Sequence, residues 1–168
     1  MFKNIFLINF ILLFLTSFLH SEIIKDVKVK GNKRLSKESI MVFGQLNLNE
    51  DYSQNDLNNI LKNIYETNFF KNVNFKVIGS VLEITVSENP IIESIEIKGI
   101  KSSNINATLL ERLNLKNRMS YVETEFLSDL NLLKNTVKSI GYYFAKVETK
   151  SILNENLNSI KLIYDVNL

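Results

Sequence analysis

The chain has 168 residues, 45% hydrophobic and 23% charged, enough for one ordinary domain or two small ones. Twenty basic residues against 18 acidic ones leave a formal charge of +2, so composition gives nucleic-acid or other polyanion binding no support. Cysteine is absent and histidine occurs once, which removes disulfide frameworks and thiol chemistry.

The first segment is an address. Lys3 is its only charge, and the 15 residues from Ile5 to Leu19 are apolar except for Asn9, Thr16 and Ser17. A spanning helix needs about 20 apolar residues. The order of short basic end, apolar run and small residue predicts a secretory signal peptide over residues 1–21, cut between Ser21 and Glu22. An uncleaved anchor is the alternative, because Leu19 is a poor residue three positions before the cut. The single histidine, His20, falls in this segment, so the mature chain has neither His nor Cys. Imidazole acid/base catalysis, Ser-His triads, cysteine nucleophiles and nitrogen- or sulfur-ligated zinc then fall together. Asp51, Asp56, Glu83, Glu88 and Glu123 show no calcium-loop spacing and read as solvated surface, and no phosphate-cradling glycine loop is present. The expectation is a non-enzymatic protein with no catalytic, cofactor or metal residue.

The remainder reads as one pattern written twice. Ile23, Val27 and Val29 line one face of a strand, with Asp26, Lys28 and Lys30 opposite, and Gly31-Asn32 ends it. Lys33-Arg34 reads as a solvated loop. Ser36 is a candidate N-cap for a short helix with Ile40 and Phe43 on its apolar side, followed by Leu46-Asn47-Leu48. Leu57, Ile60, Leu61 and Ile64 recur at helical spacing, and that helix stops at Asn68, a residue that tolerates left-handed backbone. Phe69-Phe70 is expected to plug the corner between helix and sheet. Two alternating strands follow, Val73, Phe75 and Val77, then Leu82, Ile84 and Val86, joined at Gly79-Ser80.

The second copy opens across Ser87-Glu88-Asn89-Pro90, where Pro90 fixes its own φ and biases Asn89 toward extended backbone. Ile91, Ile95 and Ile97 take the matching face, Glu93 interrupts as Lys25 does, and Gly99 stands 68 residues after Gly31. Asn104 is the matching candidate N-cap. Leu109, Leu110 and Leu113 serve the short helix, Leu113-Asn114-Leu115 repeats the triplet, and Leu130, Leu133, Val137 and Ile140 form the long stripe after extra residues around Tyr121 to Leu127. Gly141 stops that helix, and Tyr142-Tyr143 is expected as the second corner plug. The last strands run from about Phe144 to Ile152 and Ser159 to Val166, with a turn at Asn154 to Asn158. The predicted order in each copy is strand, short helix, long helix, strand, strand: an α+β unit with both helices on one face of a three-stranded sheet.

Three stretches carry a resemblance. Val-Lys-Gly-Asn-Lys-Arg-Leu-Ser (Val29 to Ser36) resembles the opening of a POTRA (polypeptide-transport-associated) domain. Ile64-Tyr65-Glu66-Thr67-Asn68-Phe69-Phe70-Lys71-Asn72-Val73 resembles its second-helix exit, and Ser87 to Ile92 the passage into a next module. After a signal peptide, the set is similar to the N-terminal POTRA domains of BamA-like proteins of the Omp85 family. Asn68 stands where glycine is usual there, and the first aromatic pair is Phe-Phe; neither disturbs the fold, since Asn accepts positive φ. The resemblance implies domains at 22–89 and 90–168, and a place in the periplasm or outer membrane of a Gram-negative bacterium. It further implies unfolded outer-membrane proteins, periplasmic chaperones and accessory lipoproteins as partners. Family members continue into further modules and a transmembrane barrel, so the chain is expected to be a fragment, a truncated reading frame or a stand-alone pair. Membrane association would come only through that barrel or an uncleaved anchor. A membrane-anchored scaffold of a division or two-partner-secretion type is the alternative. In the POTRA fold the second strand of each sheet is an edge. That places the implied partner-binding residues at Asn72, Val73, Asn74, Phe75, Lys76 and Val77, and at Phe144, Ala145, Lys146, Val147 and Glu148. Lys71, Lys76, Lys146 and Lys150 would also guard those edges against aggregation.

Overall fold

The structure, a computed structural model, describes residues 22–167; the predicted signal peptide, with His20 and Ser21, lies outside the described residues. In the first unit, strands β1 (Glu22–Ile24) and β2 (Asp26–Lys30) precede helix α1 (Lys37–Gly44). Strand β3 (Glu50–Tyr52), helix α2 (Gln54–Glu66), β4 (Phe70–Ile78) and β5 (Val81–Glu88) follow. The second unit runs β6 (Ile91–Lys98), α3 (Ser103–Arg112), α4 (Glu123–Ser139), β7 (Lys146–Asn154) and β8 (Ser159–Asn167). Each unit has a three-stranded sheet, ordered β2-β5-β4 and β6-β8-β7. The first strand is parallel to the central one, and the other two form an antiparallel hairpin. This is the expected α+β arrangement.

The helical stripes bury as read except at Ile140, which lies just past the last long helix and is 44% exposed. Ile40, Leu57, Ile60 and Ile64 pack on Leu82, Ile84 and Val86 in the first unit. Leu109, Leu133 and Val137 pack on Leu162, Tyr164 and Val166 in the second. Local chemistry fixes the helix ends. Ser36 caps α1 through the N–H of Ser39, Ser53 and Asp56 form a reciprocal capping box at α2, and Asn68 leaves α2 with φ of 60°. The cap of α3 is Ser102, not Asn104: its hydroxyl accepts the N–H of Ile105, because the loop after Gly99 is two residues shorter than the loop after Gly31. Gly31 and Gly99 both have φ of 86°, and a Cβ at either would run into the carbonyl oxygen of Val86 or Val166 on the neighbouring strand.

The first strand of each copy departs from simple alternation. Lys25 breaks the predicted strand; its N–H turns to the carbonyl of Ser80, and β1 leaves to pair antiparallel with β3, which the sequence pattern had not disclosed. The break shifts the phase by one residue, so Ile24 is buried and Ile23 exposed. In the second copy a bulge at Glu93 does the same, burying Ile92 with Ile97 and leaving Ile91 and Ile95 only half-buried. The two Leu-Asn-Leu triplets are held differently. The Tyr52 hydroxyl accepts the N–H of Asn47 at 2.9 Å in the first. In the second, fully buried Asp129 accepts those of Asn114 at 2.6 Å and Leu115 at 3.0 Å.

Candidate functional site at the sheet edges

With β5 and β8 central, β4 and β7 lie at sheet edges, where the outer N–H and C=O groups have no strand partner. The opposite edges offer less. Strand β2 is five residues long, and the Val27 N–H is taken by the Asp26 carboxylate at 2.8 Å. On β6, the Asn106 side chain donates to the Ile97 carbonyl at 2.9 Å.

The pleat decides which groups of β4 face outward. The Val86 carbonyl points toward Gly31 and β2, so the Val73–Val86 pair is a wide, non-bonded rung. By the two-residue period, the backbone groups of Val73, Phe75 and Val77 face away from β5. Their side chains, with Leu57, Leu61 and Tyr52 and the polar Gln54, Asn58 and Asn74, line a groove of about 470 Å³ between α2 and the edge. Asn72, Asn74 and Lys76 are exposed. One outward position is occupied: the Val73 N–H donates to the Tyr65 hydroxyl at 2.9 Å, and that hydroxyl lies 3.1 Å from Asn72 Oδ1 and 3.4 Å from the Val73 carbonyl.

Strand β7 has a different character. By the same reasoning from Gly99 and the Val166 carbonyl, the groups of Val147, Thr149, Ser151 and Leu153 face outward. Only Val147 is buried; Lys146 and the strand from Glu148 to Asn154 are exposed. Phe144 and Ala145, expected within this edge, precede it: the strand begins at Lys146, and Phe144 sits in the turn at 97% exposure. Nor is Tyr142-Tyr143 a core plug, at 45% and 71% exposure. The flanking Lys71, Lys76, Lys146 and Lys150 are exposed as read.

Of the two features read as solvated, the Lys33-Arg34 loop is exposed, but Glu88 is buried. Glu88 Oε1 accepts the backbone N–H groups of Lys33 (2.7 Å), Arg34 (2.9 Å) and Leu35 (3.2 Å), and its Oε2 meets Arg34 Nε at 2.9 Å. Arg34 also donates to the Asn89 carbonyl at 2.8 Å, while Asn89 bonds back to Phe69 and Asn68. The Asn158 amide reaches the carbonyls of Glu88 and Asn89 at 3.4 Å each. Burial alone would raise the Glu88 carboxyl, but the three N–H groups and the Arg34 charge outweigh it and hold it below the usual glutamate value. Hydrophobic periodicity does not mark the roles of Tyr65, Glu88 and Asp129, because each acts through side-chain oxygens on backbone groups of another segment. Among the described residues, no group of three or more His, Asp or Glu converges on a cation position.

Comparison with known proteins bears on this geometry. Residues 90–167 match the POTRA family model, described as a surface antigen variable number repeat. Outer membrane protein assembly factor BamA of Neorickettsia risticii (strain Illinois) is 25% identical over 133 residues, 79% of this chain and 17% of that protein. The corresponding BamA of Buchnera aphidicola subsp. Acyrthosiphon pisum is 25% identical over 182 residues, 96% of this chain and 29% of that protein. The chain therefore spans less than a third of these curated relatives. Two solved structures share the fold. The N-terminal domain of Omp85 from Thermosynechococcus elongatus has a TM-score of 0.54 at 13% identity, covering 86% of this chain and 63% of that one. POTRA1-3 of Omp85 from Anabaena has 0.51 at 18%, covering 86% and 61%. Two sheets of one strand order, a family match on the second unit and relatives aligned across both units make the chain a BamA-like POTRA protein.

Proposed function

We propose that the two units serve in the periplasmic arm of an outer-membrane protein assembly factor and hold unfolded outer-membrane polypeptides as added strands on β4 and β7. The observation that carries this is the β4 edge: outward backbone at Phe75 and Val77 beside a groove of mixed apolar and amide lining that can accept alternate side chains of an extended segment. Partner subunits and periplasmic chaperones would meet the same arm. The energetics suit transfer rather than storage. A strand of about five residues adds a few hydrogen bonds at roughly 1 kcal/mol each, against several kcal/mol lost on association. Contact is then weak and tolerant of sequence.

The test is titration of the isotope-labelled chain with an extended peptide from a barrel protein. Amide signals should move along the outward part of β4, Phe75 to Val77, and along Lys146 to Glu148. Shifts confined to α1–α4 would refute strand addition.

A further inference from the structure

We infer that Tyr65 is an edge cap, its hydroxyl standing where the backbone of an added strand would bond Val73, so that β4 is open to strand addition only from Phe75 outward. Where it concerns clients, this inference rests on the binding reading above; the cap itself stands on geometry. Strand addition on an antiparallel edge needs both the N–H and the C=O of each outward residue. At Val73 the hydroxyl accepts the N–H at 2.9 Å and lies 3.4 Å from the C=O, so one side-chain atom covers both groups. Its proton has a second acceptor in Asn72 Oδ1 at 3.1 Å, which pins the hydroxyl over the edge.

The ring is carried on the last turn of α2, so the cap is as fixed as the helix and is not a loop that drifts across the edge. Nothing equivalent guards the second unit. Counting back from the residues that end the two long helices, Asn68 and Gly141, the counterpart of Tyr65 is Lys138, and among the described residues no side chain bonds the Val147 N–H. The two edges thus differ in kind. On β4 the added strand is confined to the segment next to the groove, where side chains can be read. On β7 the whole edge is open and reads nothing but backbone.

The variant Tyr65→Phe keeps the ring and removes only the hydroxyl. Hydrogen exchange of the Val73 amide should accelerate about tenfold or more, while amides of β5 keep their rates. An extended peptide should then bind about five-fold more tightly, the worth of one further hydrogen bond. Its footprint should also spread from Phe75–Val77 to include Asn72–Asn74. An unchanged Val73 exchange rate overturns the cap, as does a wild-type footprint already as strong at Asn72–Asn74 as at Phe75–Val77. Faster exchange without any peptide footprint on β4 in either protein supports the cap and removes the client-binding reading instead.

Discussion

Glu88 carries more of the first unit than any charged side chain the sequence pattern singled out. Its carboxylate joins the end of β5 to the loop after β2, and through Arg34 to the carbonyl of Asn89. Nothing in the alternation of β5 marks it, since the residues it gathers lie 53 to 55 positions earlier. Only the fold brings them together, whereas Gly31 and Gly99 were legible because turn chemistry is local. The held-down carboxyl gives a prediction with a definite sign. A folded-state value below the unfolded one, 4.5, contributes stability above that pH, which is lost as pH falls through the folded value. Glu88→Gln should therefore cost about 2–3 kcal/mol in urea unfolding at pH 7, where the wild-type carboxylate is buried and fully bonded. The gap should close as pH drops below about 4.5. A gap of constant size from pH 7 to pH 3 would show that the charge of Glu88 is not what holds the loop.

At the level of elements, the two copies share helices and sheets but not the corner between them. In the first, β4 begins two residues after Asn68, so Phe70 enters the core at 3% exposure and Phe69 packs against Phe43 in a tilted pair with centroids 5.4 Å apart. In the second, β7 begins at Lys146, five residues after Gly141. The added length leaves the aromatics on the turn. The space is filled from elsewhere: Phe126, on the first turns of α4, lies 5.8 Å from Tyr121 and stacks on Tyr164 at 5.5 Å. The stripe from Leu130 to Ile140 was legible as a helix, but the helix starts at Glu123, and its buried Phe126 and Asp129 lie at or before the stripe's beginning. Periodicity finds a helix's middle more readily than its first turn, where the backbone still has free donors and no repeat has accumulated. The same motif should therefore respond in opposite ways. Phe70→Ala should cost about 3–4 kcal/mol of the first unit's stability. Phe144→Ser should stay within about 0.5 kcal/mol. Comparable losses in thermal or urea unfolding would mean that Phe144 is covered in solution.

Across the whole molecule, the ladder registers impose a direction. Strand β4 leaves the junction at Phe70, the ladder partner of Glu88, and runs outward to Ile78. Strand β7 starts at the far end at Lys146 and runs inward to Asn154, the partner of Ser159. The turn before Ser159 touches the junction, where Asn158 meets Glu88 and Asn89. The two edges are therefore head to tail, each nine residues long, and a chain that follows the array keeps one polarity along both. Antiparallel pairing is the stabler kind, so a single client should enter with its N-terminus at Ile78 and leave with its C-terminus at Lys146. Between them it must pass the Tyr65 cap unpaired, so a flexible spacer belongs at its middle. Two five-residue strands joined by such a spacer should bind about 100-fold more tightly than either alone, because the second contact becomes intramolecular. A spin label at the peptide's N-terminus should broaden Val77 and Ile78, and one at its C-terminus Lys146 and Val147. Reversed broadening would mean parallel addition. Identical broadening from both labels would mean two peptides on independent edges, and the tandem arrangement would then confer reach without direction.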